Sequence, residues 1–245
     1  MSREKLMCIL ANTMNHLSLT LALFGRSGKM GTRIEALAMR DFGFTVVHRG
    51  APCDVAIDFS SKEGLHAHLA IAQSAAHPLV IGTTGFGEKE MSAMKHAAKT
   101  IPLLYSPNFS YGMTLFQQLA SSLAHTLSNA RIAIVETHHM QKKDAPSGTA
   151  LMLAEILAQA SKQSNQAIPI QSMRIGEVIG EHSVLFECGN ERIEIKHTVH
   201  NRDAFARGAL IAAKWLVGKP AGFYTFEDCV EGVYEKCTSE RFLDR

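Results

Sequence analysis

From Glu136 to Ala150 the chain reads ETHHMQKKDAPSGTA, and these side chains carry the most obvious chemistry. His138 and His139 close an apolar run. Lys142 and Lys143 follow in a loop, and Pro146-Ser147-Gly148-Thr149 introduces a helical pattern. Imidazole and ammonium groups can neutralise a dianion and hand over protons near neutral pH. Amides at a helix start, capped by Ser147 or a neighbour, favour a carboxylate. A metal site is not expected, because adjacent strand residues point to opposite faces and no further ligand spacing accompanies the histidines. The plain alternative is a loop with solvated lysines and one buried histidine.

A second motif is Gly25-Arg26-Ser27-Gly28-Lys29-Met30-Gly31, which follows the apolar run LSLTLALF and precedes a helical pattern. Strand, glycine turn and helix in that order let backbone approach a pyrophosphate whose charge the helix start stabilises. The spacing GxxGxxG is a variant of the usual dinucleotide fingerprint. The acidic residue that normally holds the adenosine ribose is missing from the end of the second strand, which reads Val47-His48-Arg49. Arg49, helped by Lys29, could face a 2′-phosphate, so the expected cofactor is NADPH and/or NADH. A merely solvated arginine is the alternative.

The elements that must position these groups alternate. Strands are expected at Leu17–Phe24, Phe44–Val47, Val55–Phe59, Leu79–Gly82 and Ile101–Tyr105. Helices are expected at Thr32–Arg40, Gly64–Ala75 and near Lys89–Lys99. That alternation predicts a parallel sheet. The link His48–Asp54 is shorter than the dozen or so residues a parallel crossover usually takes. Beyond Asn108 a long helix (Met113–Leu127), a strand (Ile132–Glu136) and a helix (Thr149–Ala160) lead into alternating segments at Met173–Gly176, Ser183–Cys188 and Arg192–Val199. These suggest an α+β domain with a mostly antiparallel sheet. A helix at Ala204–Val217 and a short strand and turn at Phe223–Cys229 complete the reading. Residues 17–108, with a returning tail at about 217–245, form the first domain and 109–216 the second.

Composition narrows the classes. The 245 residues carry a net charge of +2, too small for a nucleic-acid footprint. Five dispersed cysteines without a CxxC argue against a disulfide framework and fit reduced thiols in a cytosol. No apolar run reaches the ~18 residues of a membrane span. Arg3 and Lys5 ahead of an apolar stretch mimic an export signal, but cleavage there would remove the first strand. Residues 1–16 are read as a loose extension, with Met14 an alternative start.

With both motifs in one chain, the sequence resembles the dihydrodipicolinate reductase family from about Leu19 to Asp228. The resemblance is carried by GRSGKMG (25–31), DVAIDFSSKEG (54–64), IGTTGF (81–86), SPNFSYGM (106–113), ETHHMQKKDAPSGTAL (136–151), RIGEVIGEH (174–182) and WLVGKPAGFY (215–224). It implies a Rossmann-like domain plus a substrate and oligomerisation domain, often tetrameric. It also implies cytosolic reduction by NADPH or NADH of a cyclic, hydroxylated dicarboxylate in lysine and diaminopimelate biosynthesis. The resemblance assigns the cofactor to Gly25, Arg26, Ser27, Gly28, Lys29 and Met30, to Gly82, Thr83 and Thr84, and to Ser106, Pro107, Asn108 and Phe109. It makes His138 and Lys142 catalytic, and gives substrate carboxylates to His139, Lys142, Gly148 and Thr149. Three features depart from the family pattern: the short link after the second strand, Met140-Gln141 in place of a basic pair, and the N-terminal extension. A non-catalytic dinucleotide sensor, or a reductase of another cyclic imine or enone, are the competing functions.

Overall fold

The computed structural model describes residues 18–161 and 168–233. The expected extension at 1–16 and the far end of the tail lie outside them. The chain divides into two compact units, one using the described residues up to Phe109 and from Asp203 onward, the other Ser110–Arg202.

The first unit is built on six parallel strands: β1 (Thr20–Phe24), β2 (Thr45–Val47), β3 (Val55–Asp58), β4 (Leu79–Ile81), β5 (Pro102–Tyr105) and β10 (Gly222–Tyr224), in the order β10-β5-β4-β3-β1-β2. Every residue of β3 and β4 and the last four of β1 are buried. Such strands read as continuous apolar runs because helices cover both faces. Ala22, Phe24, Ala56, Leu79, Ile81 and Leu103 pack under α2 (Leu65–Ser74) and α3 (Glu88–Ala97), chiefly against Leu65, Leu69, Met94 and Ala97. α1 (Lys29–Asp41) and α6 (Asp203–Leu216) pack against each other, and α6 lies across β3, β4 and β5.

The link of residues 48–54 needs no helix. The register sets Val47 beside Ala22 and Val55 beside Leu21, so the chain climbs down only about one residue of strand before β3 begins. Sideways it must cross β1, two strand spacings or roughly 10 Å, which seven residues span easily. Asp54 then fixes the entry to β3: its carboxylate accepts from the Thr20 amide at 2.7 Å and from the Thr20 hydroxyl at 2.6 Å.

In the second unit the strand order is β7-β6-β8-β9, with β6 (Arg131–His138), β7 (Ile170–Arg174), β8 (Gly180–Glu187) and β9 (Arg192–Val199). Two of the three pairings are antiparallel and β6–β7 is parallel, so the sheet is mostly antiparallel, as expected. Helices α4 (Tyr111–Thr126) and α5 (Gly148–Ala160) cover one face, burying Ile132, Ile134, Val184 and Phe186 against Phe116, Ala120, Leu153 and Leu157.

Three expectations need correction. α6 belongs to the first unit, not to the stretch 109–216. Ala206, Ala209, Leu210, Ala213 and Leu216 are buried, and Gly208 lies so close to Phe109 that a Cβ would come within 1.8 Å of its carbonyl oxygen. Arg33 Nη1 also meets Asp203 at 2.7 Å, tying α6 to α1. An amphipathic pattern reveals that a helix covers something, not which sheet. Second, the strand after α6 stops at Tyr224 and residues 226–233 are helical. Thr225 and Asp228 start this helix reciprocally: the Thr225 amide donates to Asp228 Oδ2 at 2.7 Å, and the Asp228 amide to Thr225 Oγ1 at 3.2 Å. Third, β7 begins at Ile170, three residues before the expected Met173, because pairing with Ile134 extends it.

Candidate active site

In the second unit, the inward face of the sheet changes character along β6. Ile132 and Ile134 point into the core. Two and four residues further on, the same face presents Glu136 and His138, both buried. Register brings the partners. His138 lies beside Arg174 of β7, and Glu136 beside His182 of β8. The Glu136 carboxylate contacts His138 Nδ1 and accepts from Arg174 Nη2 at 2.9 Å and from the Ser147 amide at 3.3 Å. Burial alone would raise the Glu136 pKa. The Arg174 guanidinium and the His138 imidazole outweigh it and hold the group below the ordinary carboxylate range.

His138 is held below the ordinary imidazole value, first by burial and further by the charges of Lys142 and Arg174, against the upward pull of Glu136. With Nδ1 engaged by Glu136, the ring turns Nε2 toward Gly180, where a Cβ would stand 3.2 Å away. His182 sits edge-on to His138 with centroids 5.2 Å apart, and burial pushes it down to about 4.

The loop after β6 is pinned at its start. The Ile175 amide donates to the His138 carbonyl at 2.9 Å, and the Lys142 amide to the His139 carbonyl at 3.1 Å. Lys142 Nζ is chelated by Asp144, at 2.9 and 2.7 Å. His139 Nδ1 is buried and has no hydrogen-bond partner among the described residues. Helix α5 then opens at Gly148, with the Ser147 hydroxyl accepting from the Ala150 amide at 3.2 Å. Gly148 has open space where a Cβ would stand, so the helix start is unobstructed there.

In the first unit, the cofactor candidates all follow carboxyl ends of strands. Gly25 follows β1, Gly82-Thr83-Thr84 follow β4, and Ser106 to Phe109 follow β5. β1 and β3 are neighbours whose onward connections leave in opposite directions, which is where open parallel sheets bind ligands. Gly25 has φ +77° and a Cβ there would strike the Phe59 carbonyl at 2.6 Å; at Gly31 it would strike the Gly25 carbonyl at 2.1 Å. The turn is therefore possible only with glycine at these two positions. Gly28 caps α1 with no side-chain hydrogen bond, leaving the first amides for an anion. Beside the turn lies a cleft of about 700 Å³, lined by Gly25, Arg26, Ser27, Glu35, His48 and Arg49 among others. Lys29 is not among its lining residues. These features fit a dinucleotide.

Comparison with known proteins agrees. Residues 44–109 match the family described as dihydrodipicolinate reductase, N-terminus, and residues 112–230 match its C-terminus. The chain belongs to the dihydrodipicolinate reductase family. It is 40% identical to 4-hydroxy-tetrahydrodipicolinate reductase of Xanthomonas euvesicatoria pv. vesicatoria over 85% of this chain and 96% of that one. It is 39% identical to the enzyme of the same name from Syntrophus aciditrophicus, over 82% of this chain and 79% of the relative. In fold it resembles a dipicolinate-bound dihydrodipicolinate reductase from Paenisporosarcina sp. TG-14, with a TM-score of 0.74 at 22% identity, covering 86% and 99% of the two chains. The first unit is thus the dinucleotide-binding unit of a dihydrodipicolinate reductase.

Sequence reasoning singled out His138, His139 and Lys142 but missed Glu136, Arg174 and His182. A signal for Glu136 exists: Ile132-x-Ile134-x-Glu136-x-His138 alternates, so a buried carboxylate shares a strand face with a histidine. Arg174 and His182 carry no such local signal. In the first unit Phe59 was also missed. Its ring blocks any Cβ at Gly82, with a contact of 2.1 Å, and it packs on Phe109 with centroids 5.6 Å apart. Phe59 thus links all three cofactor segments.

Among the described residues no helix is long and apolar enough to cross a membrane, and no group of three or more His, Cys, Asp or Glu side chains could hold a metal ion.

Proposed function

We propose that this protein is a 4-hydroxy-tetrahydrodipicolinate reductase that uses NADPH and/or NADH in lysine and diaminopimelate biosynthesis. The observation that carries the reading is the buried Glu136–His138 pair with Lys142 and the Ser147-capped helix start beside it, in a chain about 40% identical to enzymes of that name.

The reduction removes water from a hydroxylated cyclic dicarboxylate, adds a hydride to the conjugated ring and completes it with a proton. Bound nicotinamide supplies the hydride. The substrate's two carboxylates meet His139, Lys142 and the amides of Gly148 and Thr149, where ammonium, imidazole and helix start all favour negative charge. Lys142 leaves Asp144 to pair with a carboxylate and supplies a proton. Glu136 keeps His138 in one orientation. In the free protein the His138 imidazole leans toward the neutral form; a bound dianion raises its proton affinity, so it takes up a proton and assists as an acid. Gly25 to Met30, Gly82 to Thr84 and Ser106 to Phe109 hold the cofactor, with Arg49 toward a 2′-phosphate.

The second unit also serves as the assembly surface of a cytosolic homotetramer. Its supporting feature is the sheet face turned away from α4 and α5, which carries Met173, 47% exposed, and the partly buried Val135 and Leu185. The test of the reaction is a coupled assay in which dihydrodipicolinate synthase product is supplied and loss of NADH or NADPH absorbance is followed. Turnover with either cofactor is expected; cofactor binding without oxidation would overturn the enzyme reading.

A further inference from the structure

The cleft beside the glycine turn contains a carboxylate to which the proposed function gives no role. Glu35, in the second turn of α1, is the sole carboxylate among the residues lining the cleft, which include His48 and Arg49 just after β2. Its side chain is only 21% exposed and is gripped by Arg26, whose Nε donates to Glu35 Oε2 at 2.8 Å and whose Nη2 reaches the other oxygen. The hydrogen bond from Arg26 holds the Glu35 carboxyl below its ordinary range. The cleft wall therefore carries a fixed anion from the helix, at a place where β2 offers only His48 and Arg49.

The two nicotinamide cofactors differ at one position. NADH presents a free ribose diol, which donates hydrogen bonds and suits a carboxylate. NADPH presents a phosphate, which a carboxylate repels and a guanidinium attracts. We propose that Glu35 and Arg26 together set the choice between NADH and NADPH. Glu35 accepts from the ribose hydroxyls of NADH, while NADPH draws Arg26 off Glu35 to join Arg49 on the 2′-phosphate. The inference rests on the dinucleotide reading of this cleft, and places the ribose acceptor on α1 instead of β2.

The test is calorimetric titration of the full chain, wild type, Glu35→Gln and Arg26→Gln, with NADH and with NADPH. Pyrophosphate and nicotinamide contacts are common to both cofactors, so the ratio of the two Kd values isolates the 2′ position. Glu35→Gln is expected to move that ratio toward NADPH by about tenfold, tightening NADPH and weakening NADH. Arg26→Gln is expected to move it about tenfold toward NADH, because an unpaired Glu35 then faces the phosphate. A ratio within about twofold of wild type for either variant, or a shift of the wrong sign, overturns the inference while leaving the dinucleotide reading intact. Wild-type protein that binds neither cofactor overturns the dinucleotide reading and this inference with it.

Discussion

Among the described residues, each unit buries a carboxylate–histidine pair, and the two have different surroundings. In the first, Asp58 Oδ2 meets His68 Nδ1 at 2.7 Å, and Asp58 Oδ1 accepts from the Ser60 amide and hydroxyl at 2.9 and 2.6 Å. The His68 ring stacks on Phe24 at 4.1 Å and closes against Gly64. This pair fastens the chain leaving β3. In the second, Glu136 and His138 are equally buried, but their neighbours are Arg174, Lys142 and His182. Cations around a buried imidazole and a ring nitrogen turned toward a glycine make a group whose proton can be controlled. The same side-chain pairing is thus a structural fastener or a chemical device according to what surrounds it.

The largest effect expected from breaking this contrast is at Lys142. Lys142→Ala should lower turnover by at least about a hundredfold while cofactor affinity stays near wild type. Turnover within threefold of wild type, measured with the coupled assay, would remove the assigned role. Glu136→Gln should cost about a hundredfold in turnover, because His138 loses its orienting partner. It should also shift the alkaline limb of the pH–rate profile to lower pH, since Glu136 raises the His138 pKa and His138 acts in its protonated form. An unmoved limb would show that His138 is not the titrating group.

Stability should respond to acid through the second unit's histidines. His138, His182 and His197 all have folded values below the ordinary 6.5, led by burial. Between 6.5 and those values the unfolded chain binds more protons, so stability present above pH 6.5 is lost as pH falls. For His182 the window runs from 6.5 to about 4, corresponding to roughly 3 kcal/mol. Denaturant unfolding at a series of pH values should show this fall, and His182→Gln should flatten it; a mutant as acid-sensitive as wild type contradicts the assignment. The smallest effect belongs to the fastener. Asp58→Asn should cost about 2 kcal/mol, read as a Tm lower by several degrees, and should leave the alkaline limb of turnover where it stands. If that limb moves as it does in Glu136→Gln, the two pairs are not functionally distinct.

Much of the fold was legible because its signals are local. The continuous apolar runs at Leu21–Phe24, Val55–Ile57 and Leu79–Ile81 announce strands covered on both faces, and β9 occupies the expected Arg192–Val199. The short link of residues 48–54 was visible as an anomaly, but its explanation was not. Only the register of β2 and β3 against β1 shows how little height it has to cover. The site divides similarly. His138, His139, Lys142 and the Ser147 cap lie within one short segment. Arg174 enters from 38 residues beyond Glu136, and His182 through the β6–β8 register.

Sequence alone determined the glycine turn, the two sheet types and the order of histidine, lysine and helix start, because backbone conformation and side-chain periodicity are set over a few neighbouring residues. The tertiary structure decided which unit α6 covers, which cations surround Glu136 and His138, and that Glu35 shares a cleft with Arg49. Those outcomes depend on strand register and helix packing between distant stretches of chain, where many pairings satisfy the same local pattern and burial selects among them.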